Sequence, residues 1–278
     1  MTNERIAIIG GGNMARSLIG GLTARGMDAS LITVAEPVAA QREQLTASWR
    51  VHATDDNVAA ARGAGIVLLA VKPQNMRSVA TQIGAVVRAA GPTILSIAAG
   101  IPVRDLARWL GSDAAIVRSM PNRPALIGKG VSALYARDSV SQAARRAAEG
   151  VLAAVGTTLW VEDEALLDAV TAVSGSGPAY FFRLMELLEA AARDLGLPAE
   201  AARRLSIETA YGAACMAHAG VDPPAALREQ VTSKGGTTAA ALAVFEESDL
   251  AGIVRRAVAA AARRSAEFAA EFGEGESR

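Results

Sequence analysis

Between Ile6 and Val161 the chain alternates short, almost wholly apolar runs with longer stretches in which apolar residues return every three or four positions. The apolar runs are 6–10, 31–36, 66–71, 93–98, 115–120, 130–136 and 157–161. Runs this short with no polar alternation predict strands buried on both faces. Stretches such as Met14–Arg25 and Val38–Ser48 supply the amphipathic helices that would cover them. The expectation is an α/β domain with a doubly wound, mostly parallel sheet.

After Val161 the strand pattern stops. Helical patterning follows over 164–173, 178–195, 199–219, 224–231, 237–246 and 249–272. Gly196-Leu-Pro198 and Gly220-Val-Asp-Pro-Pro224 punctuate these stretches as breakers. The change of pattern predicts two domains, 1–162 and 163–278, the second all-α. Residues after Gly273 read as a frayed tail. The alanines around 257–262 suit close helix packing.

Composition narrows the function. With 278 residues and 51% hydrophobic content there is enough material for real cores. Lys plus Arg and Asp plus Glu both number 28, so no overall positive field invites nucleic acid. The single cysteine, Cys215, excludes an intramolecular disulfide and suits a reducing compartment. The start, Met1-Thr-Asn-Glu-Arg5, lacks the basic and apolar regions of a signal peptide. No apolar run reaches the roughly 18 residues of a membrane span. A cytoplasmic, soluble protein is expected. Cys215 and His218 are three apart, but two ligands do not make a metal site; buried helix packing is the expected use of both, and no metal is expected.

The chain opens on a candidate cofactor site. After the first apolar run comes Gly10-Gly-Gly12-Asn-Met-Ala15, a Gly-x-Gly-x-x-Ala pattern leading into a helix. Gly10 allows the tight turn, Gly12 lets backbone approach a pyrophosphate, and Ala15 lets helix and strand pack closely. Free amides of Gly12, Asn13 and Met14 at the helix start, with the positive end of its dipole, suit phosphates. This Rossmann-type fingerprint implies NADH or NADPH. Glu36, about 20 residues further on at the end of the second run, can accept hydrogen bonds from the adenosine ribose and would repel a 2′-phosphate. Taken alone it favours NADH; Arg42 could offset the repulsion. Other strand ends should face the same crevice: Val71, Lys72 and Pro73, then Ala98 to Gly100, with Asn57 in the connection before the third run. Lys72 is equally readable as a solvated lysine before a proline turn.

A second polar feature interrupts the helical half: Val231-Thr-Ser-Lys-Gly-Gly-Thr-Thr238. By itself it reads as a helix cap, with Thr237 or Thr238 as the capping residue. Ser174-Gly-Ser-Gly-Pro-Ala-Tyr180 likewise reads as a helix start.

Together these stretches resemble the pyrroline-5-carboxylate reductase family over nearly the whole chain. The markers are Gly10–Ala15, Ala70-Val-Lys-Pro-Gln74, Met120-Pro-Asn122, Ser174–Tyr180, and the run from Pro224 and Leu227 through Val231–Thr238 to Ala241-Leu-x-x-Phe-Glu246. The resemblance implies a Rossmann cofactor domain and a helical dimerisation domain. It implies hydride transfer from NAD(P)H to the C=N carbon of 1-pyrroline-5-carboxylate, giving L-proline in the last step of proline biosynthesis. It further implies a homodimer through the helical domains, assembly up to a decamer in many members, and active sites at domain and subunit junctions. Under it, Gly235, Gly236 and Thr237 at a helix start form an anion pocket for the substrate carboxylate, with Ser233 adding a hydroxyl. Thr238 takes the catalytic place at the ring nitrogen, where a hydroxyl can serve as donor or acceptor. Thr171 stands near the nicotinamide with Ser174–Tyr180. Two positions depart from the common pattern, Arg123 after Met-Pro-Asn and Lys234 before the glycines. Reduction of a related, larger cyclic imine and a non-catalytic NAD(P)-sensing protein are the alternatives.

Overall fold

The computed structural model describes residues 4–273, so the tail expected after Gly273 lies outside the described residues. By contact the chain forms two compact units, Met1–Ser176 with Ala260–Arg278, and Gly177–Ala259. The first runs β1 (Ile6–Ile9), α1 (Asn13–Ala24), β2 (Ile32–Ala35), α2 (Ala39–Trp49), β3 (His52–Thr54), α3 (Asn57–Ala61), β4 (Ile66–Leu69), α4 (Pro73–Ala90), β5 (Thr93–Ser96), α5 (Val103–Leu110), β6 (Ile116–Met120), β7 (Gly130–Ala136), α6 (Gln142–Ala153), β8 (Gly156–Trp160) and α7 (Leu166–Val170).

All eight strands form one sheet in the order β3-β2-β1-β4-β5-β6-β7-β8. Pairing is parallel from β3 to β6; β7 then runs antiparallel to β6 and parallel to β8. The mostly parallel, doubly wound sheet expected from the apolar runs is thus present. Each of the seven runs became a strand. The eighth, β3, escapes the pattern because it has three residues, two of them polar, on the sheet edge.

Both faces of the sheet are covered, which is why its strands are continuously apolar. Ile6, Ile8, Val34 and Leu68 point into one core with Leu18, Ile19 and Leu22 of α1, Leu45 of α2, and Val151 and Leu152 of α6. Ala7, Ile9, Val67 and Leu69 point into the other with Met76, Ala80 and Ile83 of α4 and Leu106 and Leu110 of α5. Neighbours along a strand therefore serve opposite cores, as the two-residue period requires. Burying each Ile or Leu contributes about 1.5–3 kcal/mol.

The expected division after residue 162 followed the change from strands to helices; the compact units follow contact instead. Leu167 of α7 and Ala172 are buried in the first unit. Glu164 accepts from Val103 N–H (2.7 Å) at the start of α5 and from the buried Arg118 of β6 (3.0 Å).

The second unit holds α8 (Gly177–Asp194), α9 (Ala199–His218), α10 (Pro224–Gln230), α11 (Thr237–Glu247) and the first part of α12 (Leu250–Gly273). Only Gly177, Ala202 and Ser206 in it are buried in the single chain. Phe181, Phe182 and Tyr211 are 62–66% exposed. Cys215 and His218 are exposed too, so the expectation of buried helix packing for them is corrected: α9 leaves that face uncovered within one chain. Among the described residues no group of three or more His, Cys, Asp or Glu is arranged to hold a metal ion. No helix among them is long and apolar enough to cross a membrane.

Candidate active site

The first unit carries the cofactor crevice. β1 is central, with β2 on one side and β4 on the other. The chain leaves β1 in one direction and returns to its other side, so the crevice opens between the ends of β1 and β4. Register aligns Ile9 with both Ala35 and Leu69, and Leu69 with Ser96. The residues that follow, Gly10, Glu36, Ala70–Val71 and Ile97–Ala98, therefore stand side by side at the carboxyl ends of these strands. The structure brings the predicted cofactor residues of the strand ends together there.

Gly10 must be glycine. Its φ is +103°, and a Cβ there would come within 2.7 Å of the Ala70 carbonyl oxygen. Gly12 is the N-cap of α1 and has no side-chain capping bond. A Cβ on it would meet nothing within 4 Å. The first-turn amides of Asn13, Met14 and buried Ala15 lie at the positive end of this 12-residue helix. Such a helix start suits the charge of a pyrophosphate, so the donor set agrees with a dinucleotide.

Glu36 is buried, 8% exposed, and both of its carboxylate oxygens are engaged. Gly11 N–H donates to Oε2 (2.9 Å) and Val38 N–H to Oε1 (3.0 Å). Arg42, expected as a possible offset to its charge, donates instead to the carbonyls of Glu36 and Pro37, both at 2.8 Å. Asn57 opens α3 in the connection before β4, and its side-chain amide donates to Gln82 (2.8 Å). Lys72 is the exposed N-cap of α4, with Pro73 at the first turn. Gly100, at φ +72°, lies buried under Phe268 of the returning α12.

Sequence patterns gave no role to Asn122. Its amide joins three segments: Nδ2 donates to the Ser174 carbonyl (3.1 Å) and Oδ1 accepts from Val131 N–H (2.9 Å). Thr171 to Gly175 form a single π-helical turn, a form frequent at functional sites. There Thr171 Oγ donates to the Leu167 carbonyl (2.7 Å), and a Cβ on Gly175 would strike Met120 (2.7 Å). The adjacency of 120–122 and 171–175 is a tertiary fact with no local signal beyond the motifs themselves. Arg123 is exposed beside them.

In the second unit the polar stretch 232–238 forms the turn before α11 and the first two residues of that helix. Gly235 takes φ +73°, and Gly236 N–H donates to the Ser233 carbonyl (3.0 Å). A Cβ on Gly236 would collide with Ser233 Oγ. The N-cap of α11 is Gly236, without a side-chain capping bond, so neither Thr237 nor Thr238 caps the helix as the local pattern had allowed. No side chain caps the first-turn amides, which lie next to Ser233 and two threonines. Lys234 is exposed.

Comparison with known proteins agrees with this layout. A family model for pyrroline-5-carboxylate reductase dimerisation matches residues 164–268, and one described as coenzyme F420-dependent NADP oxidoreductase matches 5–100. A curated pyrroline-5-carboxylate reductase of Pseudomonas aeruginosa is 47% identical over 274 residues, covering 99% of this chain and 100% of that one. The chain belongs to the pyrroline-5-carboxylate reductase family. It is an NAD(P)H-dependent oxidoreductase with a Rossmann-type domain and a helical dimerisation domain. The solved pyrroline-5-carboxylate reductase of Coxiella burnetii superposes with a TM-score of 0.93 at 37% identity, covering 96% of this chain and 99% of that one. The Plasmodium falciparum reductase, solved with NADP bound, does so at 0.84 and 26%, covering 97% and 99%. Membership in this family accounts for the bare helical faces, because the matched helical model is one of dimerisation; the reductase is a homo-oligomer.

Proposed function

We propose that this reductase converts 1-pyrroline-5-carboxylate to L-proline with NADPH or NADH, the last step of proline biosynthesis. The observation that carries the reading is one chain holding both a pyrophosphate cradle at Gly10–Ala15 and an uncapped, hydroxyl-rich helix start at Ser233–Thr238. The former suits a nicotinamide dinucleotide, which supplies the hydride when bound. The latter suits a small anionic substrate. Functionally, residues 1–162 serve the cofactor, and 163–278 serve substrate and dimerisation.

In the substrate role, the amides of Gly235 and Thr237 hold the carboxylate at the helix start, aided by the Ser233 hydroxyl, while the Gly236 N–H, expected to join them, is engaged by the Ser233 carbonyl and shapes the turn. Thr238, one residue into the turn, faces the ring nitrogen, donating or accepting as that nitrogen's protonation requires. A protonated iminium accepts hydride more readily, so the protein needs no strong acid of its own. Thr171 supports the nicotinamide side. In the cofactor role, Gly12, Asn13 and Met14 hold phosphates, Glu36 and Asn57 lie toward the adenosine, and Val71, Lys72, Pro73, Ala98 and Gly100 border the crevice. Most of the rate then comes from positioning donor against acceptor. The homo-oligomer is a dimer through the helical units, assembling further to a decamer, and the enzyme works in the cytoplasm.

Purified protein should oxidise NADPH or NADH only when 1-pyrroline-5-carboxylate is added, followed by loss of nucleotide absorbance. Preference for the six-membered homologue would reassign the substrate. Nucleotide binding without turnover of either imine would favour a sensor.

A further inference from the structure

We propose that Glu36 is a positioning residue of the phosphate loop that serves NADH and NADPH alike, and that it acts with Arg16 by clamping the two peptides that flank the Gly11 Cα. The inference rests on the cofactor crevice proposed above. It departs from what an acid at this strand end leads one to expect, which is a ribose contact that discriminates against NADPH.

The clamp has two jaws. Gly11 N–H donates to Glu36 Oε2 at 2.9 Å. On the other side of the same peptide-bonded residue, Arg16 Nε donates to the Gly11 carbonyl at 3.0 Å. Arg16 is itself steadied by Gln44, which accepts from both terminal guanidinium nitrogens at 3.3 Å. Glu36 is steadied by Val38 N–H at 3.0 Å on its other oxygen. Room for the clamp exists only because position 11 has no side chain: a Cβ there would lie 2.9 Å from Leu45 Cδ1 and 3.1 Å from Glu36 Oε2. The middle glycine of Gly10-Gly-Gly12 is thus required by the clamp, whereas the fingerprint alone leaves that position free.

Three consequences follow. Each carboxylate oxygen accepts a charge-assisted bond from a main-chain donor, and only 8% of the residue is exposed, so little of the anion is presented to a 2′-substituent. The negative charge sits just before the N-terminus of α1, where the helix field favours it. The Gly11 N–H is engaged, leaving those from Gly12 onward for the pyrophosphate, and the Gly12 N–H shares its peptide plane with the Gly11 carbonyl that Arg16 holds. Arg42 does not alter this: its guanidinium is held by two backbone carbonyls and lies 3.6 Å from Asp55.

The test is equilibrium titration of purified full-length protein with NADH and NADPH, read by nucleotide fluorescence without imine. Glu36→Gln keeps the shape but turns one acceptor into a donor facing an N–H group. It should raise both dissociation constants about tenfold, with their ratio held to within about threefold. Arg16→Ala, at a half-buried site outside the core, should shift both in the same direction. The double variant should lose less than the product of the two losses, because both hold the same residue, Gly11. In steady state the KM for cofactor should rise while kcat at saturating cofactor and the KM for imine stay put, a split that general loosening of the fold does not give. A gain or no change for NADPH with a loss for NADH would overturn the proposal in favour of ribose reading; unchanged binding of both would overturn it outright. Failure of the unaltered protein to bind either nucleotide would overturn the cofactor reading itself, whereas failure to reduce the imine would leave the binding result standing.

Discussion

Thr238 is the residue on which the proposed chemistry rests. Its hydroxyl stands in the first turn of α11, uninvolved in capping. A hydrogen bond to a charged group is worth about 1.5–3 kcal/mol, so Thr238→Ala should lower kcat roughly 10- to 100-fold. Cofactor affinity should be nearly unchanged, since the residue lies outside the dinucleotide loop. Stopped-flow and steady-state rates would check this, and unaltered turnover would remove Thr238 from the mechanism. Gly10→Ala meets a different obstacle. At φ +103° with a Cβ 2.7 Å from a carbonyl oxygen, alanine must push β1 away from β4. Nucleotide binding should be abolished and the melting temperature lowered, both measurable in one thermal-shift titration. At this scale the sequence was informative, because glycine and hydroxyl requirements are properties of single residues and their neighbours. The clamp on Gly11 was not legible, because Glu36 and Arg16 meet there only after β2 has been laid beside β1.

Elements tell the same story one level up. Long amphipathic helices and fully buried strands were readable from period alone, whereas β3 was not: three residues on an edge carry too little pattern. The π turn at Thr171–Gly175 was also invisible, being an insertion that the helical period absorbs. Asn122 holds that turn against β7 through two hydrogen bonds while 8% exposed. Asn122→Ala leaves Val131 N–H without its acceptor. It should cost about 1–3 kcal/mol, seen as a melting temperature several degrees lower. The KM for cofactor should rise as Ser174 shifts, and an unaffected melting curve would mean the turn holds itself.

For the whole molecule the helical unit is decisive. A set of helices that buries three residues and leaves Phe181 and Phe182 more than 60% exposed has no core of its own within one chain. Its stability must come from a second copy, as the dimerisation model implies. Phe181→Glu places a charge in that apolar contact, a cost of several kcal/mol if buried unpaired. Sedimentation should show monomers where the unaltered protein is a dimer or larger, with activity lost at the same time. Retention of the native assembly would place Phe181 outside the contact.

The amino-acid sequence by itself determined the strand and helix types, the cofactor fingerprint and the family, because each rests on periodicity or on ordered local spacing. It could not determine what Glu36 binds, that Asn122 ties β7 to a π turn, or that Phe268 of the last helix covers Gly100. Those contacts join residues 25, 52 and 168 positions apart. Their energy exists only once the sheet has brought the partners within hydrogen-bonding or packing distance. No local pattern records it, and the tertiary structure alone decides it.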